Sequence, residues 1–457
     1  MITGGNPVSE DPSSTRFVVC LALVLAAAIT GCTDPDPTSD RGVIAYSEGD
    51  YDKAAAEFTK VIEQRPDFVD GYSRRGDAYF AMVERDPTNT ENLVRAVNDY
   101  TKALELDSTD DQRASLFLRR GKAYLVANRP GQALADLNEV AALQSDNAEL
   151  YFWRGDARLR KGDLEGALAD WEEVRERSPE FALTYIKLAE LYGDLKKIPE
   201  AAAAIEKYFE HAADGQEAAG HQTRGYILLL QRKFNEAVEE LTKAVELNPN
   251  SLLAYQRRAA AQMELGNMEA ALSDFGEVIR RAPNESHGYN NRAAVHLQQG
   301  RYAEAIADFT AALERSPGDF KILYNRGIAR NAAKDFEGAV ADYDIVIETA
   351  PNFFQAYLRR AQARIEQKDL IAALADLNTV VERAPGQLEA FVLRARVYSQ
   401  QGNHEAAIKD LGTVVERAPS AEAYRERARI YRAAGEEDLA AADEAEADKL
   451  EGESGKP

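Results

Sequence analysis

The chain has 457 residues, with 77 Asp and Glu against 55 Lys and Arg, a formal charge of −22 at pH 7. That balance excludes nucleic-acid binding of the usual kind, which rests on Lys and Arg replacing counterions at phosphates, and it excludes a polybasic membrane patch. A 45% hydrophobic content excludes wholesale disorder, and two Cys cannot build a disulfide scaffold or a Cys-rich zinc site.

The first element in chain order is an apolar run from Phe17 to Ile29. It is shorter than the ~20 residues that a membrane-spanning helix needs, and it suits the core of an export signal. It leads into Ile29-Thr30-Gly31-Cys32, which resembles a bacterial lipobox. The resemblance implies cleavage after residue 31, acylation of Cys32 and loss of Cys20, leaving no free thiol for redox chemistry. Residues 32–36 then form the anchor and a short linker. Asp34 stands one place later than the Asp that tends to hold Gram-negative lipoproteins in the inner membrane. The implied location is therefore the cell envelope, at the periplasmic face of the outer membrane if the source is diderm.

Beyond residue 36 the chain is one repeat. A small residue recurs at Gly42, Gly76, Gly121, Gly155, Ala189, Gly225, Ala259, Ala293, Gly327, Ala361, Ala395 and Ala428, and eight of the eleven spacings are 34. An Ala follows each after twelve residues, except across one insertion, and a large apolar residue stands four places further on in eleven repeats, as at Phe58, Tyr100, Trp171, Phe309 and Tyr343, with Glu444 in its place in the twelfth. Pro closes eight repeats. Apolar residues at three- and four-residue spacing predict two helices per repeat. Turns such as Gly162-Asp163 and Gly266-Asn267 separate them, and Pro ends the second helix for want of an N–H.

The signature from Tyr289 to Pro317 and from Tyr324 to Pro351, with its 34-residue period, resembles the tetratricopeptide repeat, and the likeness extends from Pro35 to Leu450. The resemblance implies an all-α fold, a right-handed α-solenoid superhelix of about twelve helix–turn–helix repeats. Its first helices would line a concave groove. An insertion around Val83–Asn92 interrupts the second repeat, and a looser stretch at His211–Gln216 suggests a hinge. The expected domains are residues 1–31 (signal), 37–217 (about five repeats), 218–451 (about seven, the last a polar cap) and 452–457 (tail).

Eleven repeats carry Arg immediately before the small residue and an acid immediately before the large apolar one. Among these pairs are Arg292 with Asp308, Arg326 with Asp342, and Arg360 with Asp376. The fifth repeat has Leu188 and Ala204 and lacks both. Loss of the two together argues for a bidentate ion pair joining the two helices of a repeat.

The resemblance places the residue before this Arg in the groove. Repeats seven to ten there carry Arg257, Asn291, Asn325 and Arg359, with Asn290, Lys321 and Tyr324 nearby. Asn can meet both the donors and the acceptors of an extended peptide. Asn291 and Asn325 match the Asn ladder of the repeat-containing sugar transferases, whereas only Asn325 and Arg359 fit the carboxylate clamp of chaperone-binding members, so a chaperone terminus is not expected. His211, His221, His287, His296 and His404 have no metal-ligand spacing, and no nucleophile elbow occurs. The expectation is a non-enzymatic, cofactor-free, membrane-anchored scaffold that binds proteins or peptides. The alternative is a regulatory subunit or assembly factor for one envelope enzyme or secretion, pilus or outer-membrane machinery.

Overall fold

The structure, a computed structural model, describes residues 37–106 and 109–454. The segment expected to be an export signal (with Cys20), the expected lipidation site Cys32 and residues 455–457 lie outside the described residues. Twenty-four α-helices and no strand occur among those described. They fall into two compact units, divided between Leu265 and Gly266.

The first unit contains α1 (Pro37–Ser47), α2 (Tyr51–Gln64), α3 (Val69–Arg85), α4 (Thr90–Glu105), α5 (Asp110–Val126), α6 (Pro130–Leu143), α7 (Ala148–Arg160), α8 (Leu164–Arg177), α9 (Ala182–Asp194), α10 (Ile198–His211), α11 (Glu217–Leu230), α12 (Phe234–Leu247) and α13 (Leu252–Glu264). The second contains α14 (Met268–Arg281), α15 (Ser286–Gln298), α16 (Tyr302–Arg315), α17 (Phe320–Ala332), α18 (Phe336–Thr349), α19 (Phe354–Glu366), α20 (Leu370–Arg383), α21 (Leu388–Gln400), α22 (His404–Arg417), α23 (Ala421–Ala433) and α24 (Glu437–Ser454). Odd-numbered helices are the first, and even-numbered the second, of twelve repeats. The Val83–Asn92 insertion does not form a separate lobe; it lengthens α3 and α4 to 17 and 16 residues. The looser stretch at His211–Gln216 lies inside the first unit, where Tyr208 Oη donates to the Gln216 carbonyl at 2.5 Å.

The turn between the helices of a repeat needs one left-handed residue, the usual way to end a helix. Gly takes it at Gly49, Gly162, Gly266, Gly300, Gly402 and Gly435. Asn128, Lys196, Arg232, Lys334 and Lys368 take it elsewhere, at the steric cost of a Cβ. Asp50, Asp163, Asp335, Asp369 and Asn403 then cap the second helix by accepting a backbone N–H three residues on.

The small-residue column lets the large one lie flat against the first helix. A Cβ on Gly76 would come within 2.8 Å of the Tyr100 ring, and one on Gly327 within 2.6 Å of the Tyr343 ring. Tyr100, Trp171, Phe309 and Tyr343 are almost wholly buried as a result, each contributing roughly 2–3 kcal/mol of apolar burial. Each second helix packs on both flanking first helices within its unit, and first helices also touch the next first helix along, as α9 does α11 and α17 does α19. That crowding puts the first helices on the inner face of each unit.

The arginine column stitches these layers together. Arg75, Arg120, Arg154, Arg292, Arg326, Arg360, Arg394 and Arg427 each grip the Asp of their own repeat through Nε and Nη2. Arg292 meets Asp308 at 2.7 and 2.7 Å, Arg326 meets Asp342 at 3.0 and 2.7 Å, and Arg360 meets Asp376 at 3.0 and 2.5 Å. The third nitrogen reaches back to the second helix of the preceding repeat. Arg75 Nη1 donates to Thr59, Arg120 to Thr101, Arg258 to Thr242, Arg326 to Thr310, Arg360 to Asp344 and Arg394 to Asn378, at 2.5–3.2 Å. One guanidinium thus holds three helices. In repeats four, nine and ten a second arginine, Arg158, Arg330 or Arg364, joins the same Asp.

Two expected pairs take another form. Glu57 bonds Lys60 at 2.6 Å, and Glu240 bonds Lys243 and His221 at 2.7 Å, with Arg224 3.8 Å away. Both acids are Glu, whose extra methylene carries the carboxylate past the arginine to a Lys one turn on. Arg224 turns instead to Glu206 at 2.8 Å and stacks on Phe209.

At Asp136 burial raises the carboxyl above the usual range and outweighs the Arg120 bonds that lower it. Arg120 is in turn raised by that bond. Such a pair sets geometry more than net stability, but breaking one side leaves a buried charge. Arg120→Leu alone is expected to cost about 3 kcal/mol in a urea unfolding series. Arg120→Leu with Asp136→Ala, which copies Leu188 and Ala204 of the fifth repeat, is expected to recover most of that loss. A double variant as unstable as the single one would contradict this account.

Candidate functional site: the inner face

The residue before each clip arginine, and those one turn either side of it, point to the inner face. In the first unit their charges meet one another across repeats. Arg119 Nη1 donates to Asp77 at 2.6 Å and to Ser73 at 2.8 Å, and Tyr100 Oη reaches past Gly76 to Asp77 at 2.9 Å. Lys122 bonds Glu149, which also accepts Trp153 Nε1 at 3.3 Å. Lys187 lies 3.0 Å from Asp156. Arg257 passes over the Tyr226 ring at 4.4 Å to reach Glu190, two repeats back, at 3.5 Å. Arg257, read from sequence as part of one groove with the Asn residues, is therefore engaged inside the first unit. Arg75-Gly76-Asp77 and Arg154-Gly155-Asp156 spell an adhesion tripeptide, but Asp77 and Asp156 both belong to this network.

The second unit differs. Asn290 Nδ2 donates to Asn291 Oδ1 at 3.3 Å, while Asn290 Oδ1 is buried with no partner among the described residues. Asn325 stands half-buried on α17, one repeat further on. Tyr324 packs edge-on against Phe353, with ring centroids 5.0 Å apart. Arg359 Nη1 donates to Gln362 at 2.8 Å and lies 3.9 Å from Glu389. Its Nε, Asn331 Oδ1 and the Tyr343 hydroxyl are also buried without a hydrogen-bond partner among the described residues. Lys321 sits exposed in the first turn of α17. The structure thus brings Asn290 with Asn291, and Tyr324 with Arg359. It adds Tyr343, which sequence reasoning missed and whose signal was Ile328, standing where Tyr100 finds Asp77.

His296 lies 3.8 Å from Asp308, and burial lowers its pKa. No group of three His, Cys, Asp or Glu side chains that could hold a metal occurs among the described residues. No helix of the described residues is long and apolar enough to cross a membrane.

Models of the tetratricopeptide repeat match residues 118–182, 256–320, 290–352 and 324–387, and others match 42–83, 218–251 and 364–430. The human mitochondrial import receptor subunit TOM70 is 23% identical over 271 residues, 50% of this chain and 43% of its own. Human superkiller complex protein 3 is 30% identical over 199 residues, 39% of this chain and 13% of its own. Hsp70-Hsp90 organizing protein 1 of Glycine max is 28% identical over 184 residues, 39% of this chain and 31% of its own. The chain spans less than half the length of each of these relatives. Among solved structures, the TPR protein YrrB, described with an unusual peptide-binding site, has a TM-score of 0.35 at 22% identity, covering 40% of this chain and 94% of that one. The APC/C hetero-tetramer Cut9-Hcn1 has a TM-score of 0.43 at 14% identity, covering 91% and 99%.

One inner-face carboxyl carries a pH signature. Burial raises Glu84 to about 7, with Lys122 lowering it and Asp77 raising it. The fold prefers its neutral form, so this contribution is full below about 4.5 and fades as pH climbs to about 7. Glu84→Gln is expected to stabilise the first unit at pH 8, by on the order of 1–2 kcal/mol, and to make no difference at pH 4. Hydrogen exchange of α3 and α5 at the two pH values measures this; a benefit confined to pH 4 would reverse the assignment.

Proposed function

Since the chain belongs to the tetratricopeptide repeat family, whose stacked helical hairpins bind proteins and peptides, we propose that it is a scaffold holding an extended segment of a partner protein on the inner face of its second compact unit. The observation that carries this is the contrast between the two inner faces. In the first unit Asp77, Glu149, Asp156 and Glu190 already have cationic partners from other repeats. In the second unit Asn290 and Arg359 keep buried polar atoms without a hydrogen-bond partner among the described residues, as Asp156 and Thr184 do in the first, but in the second unit the neighbouring inner-face groups are amides and phenols rather than a run of ion pairs. Buried donors and acceptors without partners are costly, and an extended backbone supplies both kinds of partner. Asn291 and Asn325 stand one repeat apart, a spacing at which two amides hold successive stretches of one strand.

The proposal includes the address. Ile29-Thr30-Gly31-Cys32 after the apolar run supports acylation at Cys32 and a scaffold tethered to a bacterial envelope membrane. The short linker before α1 would hold the repeats close to that surface.

Cys32→Ala is expected to release the protein from the membrane fraction and to leave its signal uncleaved, which a mass measurement reads directly. A membrane-bound variant of unchanged mass would refute the anchor. Replacing Asn291, Asn325 and Arg359 together by Ala is expected to abolish cross-linked partner capture from membranes, whereas Arg119→Ala is not. Intact capture by the triple variant removes the groove assignment. A single stoichiometric partner in the wild-type capture would identify a regulatory subunit; several substoichiometric ones identify a general scaffold.

A further inference from the structure

The position four residues after each clip arginine has a role of its own. Tyr79, Tyr124, Tyr398 and Tyr431 fill it in four repeats. Arg158, Arg330 and Arg364 fill it in three others, where each reaches the clip Asp at 2.8–3.0 Å and a backbone carbonyl of the second helix at 3.0–3.4 Å. These arginines carry a permanent charge, and their length lets it find two acceptors. The eighth repeat has His296 there, a side chain that gains or loses its proton near neutral pH.

His296 lacks that reach. Its side chain is 14% exposed, and Nε2 stands 3.8 Å from Asp308, whose two oxygens Arg292 already grips at 2.7 Å. Nδ1 is buried and has no hydrogen-bond partner among the described residues. A neutral imidazole has one N–H to satisfy, whereas imidazolium has two. The fold therefore accepts the neutral ring, and charging it leaves a buried N–H unpaired.

The surrounding charges do not reverse that balance. Asp308 and Glu304 on α16 attract the imidazolium, while Arg292 on α15 itself and Arg301 in the turn repel it. On α14, Glu269 is engaged by Gln299 and Arg301, and on α17, Arg326 and Arg330 are turned to Asp342. Burial is the largest influence and lowers the pKa of His296. For a lowered value the contribution to stability is full above the ordinary imidazole range and is lost as pH falls through the folded value.

We propose that His296 makes the α15–α16 hairpin a proton-sensitive joint, closed at neutral pH and loosened in mild acid, when the imidazolium meets Arg292 and finds no acceptor for Nδ1. Asn290 and Asn291 stand on α15, so the loosening extends to the inner face proposed as the peptide site. That extension rests on the groove reading; the joint itself does not.

The test follows amide hydrogen exchange of α15 and α16 in the full chain at pH 7.5 and pH 5, corrected for intrinsic rates. Protection is expected to fall severalfold in acid, with a ceiling of about thirtyfold for an imidazole that takes its proton only when the hairpin opens. His296→Tyr copies the commonest residue of the column, and His296→Arg copies Arg330 and Arg364. Each variant is expected to lose this pH dependence. The His296 ring resonance, identified by its absence from both variants, is expected to titrate below the ordinary imidazole range. Equal acid loss of protection in the wild type and both variants, or a His296 that titrates within or above that range, overturns the joint. Acid loss of protection in the wild type alone, with partner capture equal at the two pH values, upholds the joint and removes its link to the groove.

Discussion

The architecture depends on a guanidinium that is shared three ways. Helical hairpins of this size cannot bury their apolar faces alone and must stack, but stacking by apolar contact leaves the angle between repeats loosely set. Arg75, Arg120, Arg326, Arg360 and Arg394 fix it by holding the Asp of their own second helix on one edge and a Thr, Asp or Asn of the preceding second helix with the remaining nitrogen. The planar fork suits this role because its N–H directions are rigid, whereas an ammonium would swivel. Aromatic rings one turn away, such as Tyr357 beside Arg360 at 5.6 Å, enclose the cation without competing for its hydrogen bonds.

Much of this was legible in the chain because a repeat protein contains its own comparison. The 34-residue period located the helices, and joint loss of Arg and acid at Leu188 and Ala204 pointed to a pair before any distance was known. What stayed hidden was of two kinds. The backward bond to Thr59, Thr101, Thr242 and Thr310 is a contact between repeats, and Thr in a second helix reads as an ordinary surface residue. The departure at Glu57 and Glu240 turns on one methylene, which a column of acids treated as equivalent does not register.

The inner face was less legible still. Groove positions follow from periodicity, but whether a side chain there is available depends on neighbours tens of residues away. Arg257 and Arg359 occupy the same column and read alike. In the structure Arg257 crosses Tyr226 to Glu190, sixty-seven residues back, while Arg359 meets Gln362 and Tyr324 nearby and its buried Nε has no hydrogen-bond partner among the described residues. Residues on second helices are also invisible to a search restricted to groove columns. Tyr343 belongs to the core by its pattern, and Gly327 lets its ring lie flat against the first helix with the hydroxyl buried and without a hydrogen-bond partner among the described residues.

These differences give the acidic composition a structural meaning. The clip aspartates are spoken for by arginine, and the inner carboxylates of the first unit by Arg119, Lys122, Lys187 and Arg257. Much of the remaining acid lies on exposed positions of second helices and on the polar α24, where Glu437, Asp438, Glu446 and Asp448 are exposed and Arg432, Lys449 and Arg425 meet only some of them. A surface of that sign repels other acidic chains at long range, yet the second unit's inner face is built from amides, phenols and one partly offset arginine. A peptide on the proposed groove would be selected by short-range hydrogen bonding, because an ill-matched ligand leaves buried polar groups unpaired and a matched one completes them.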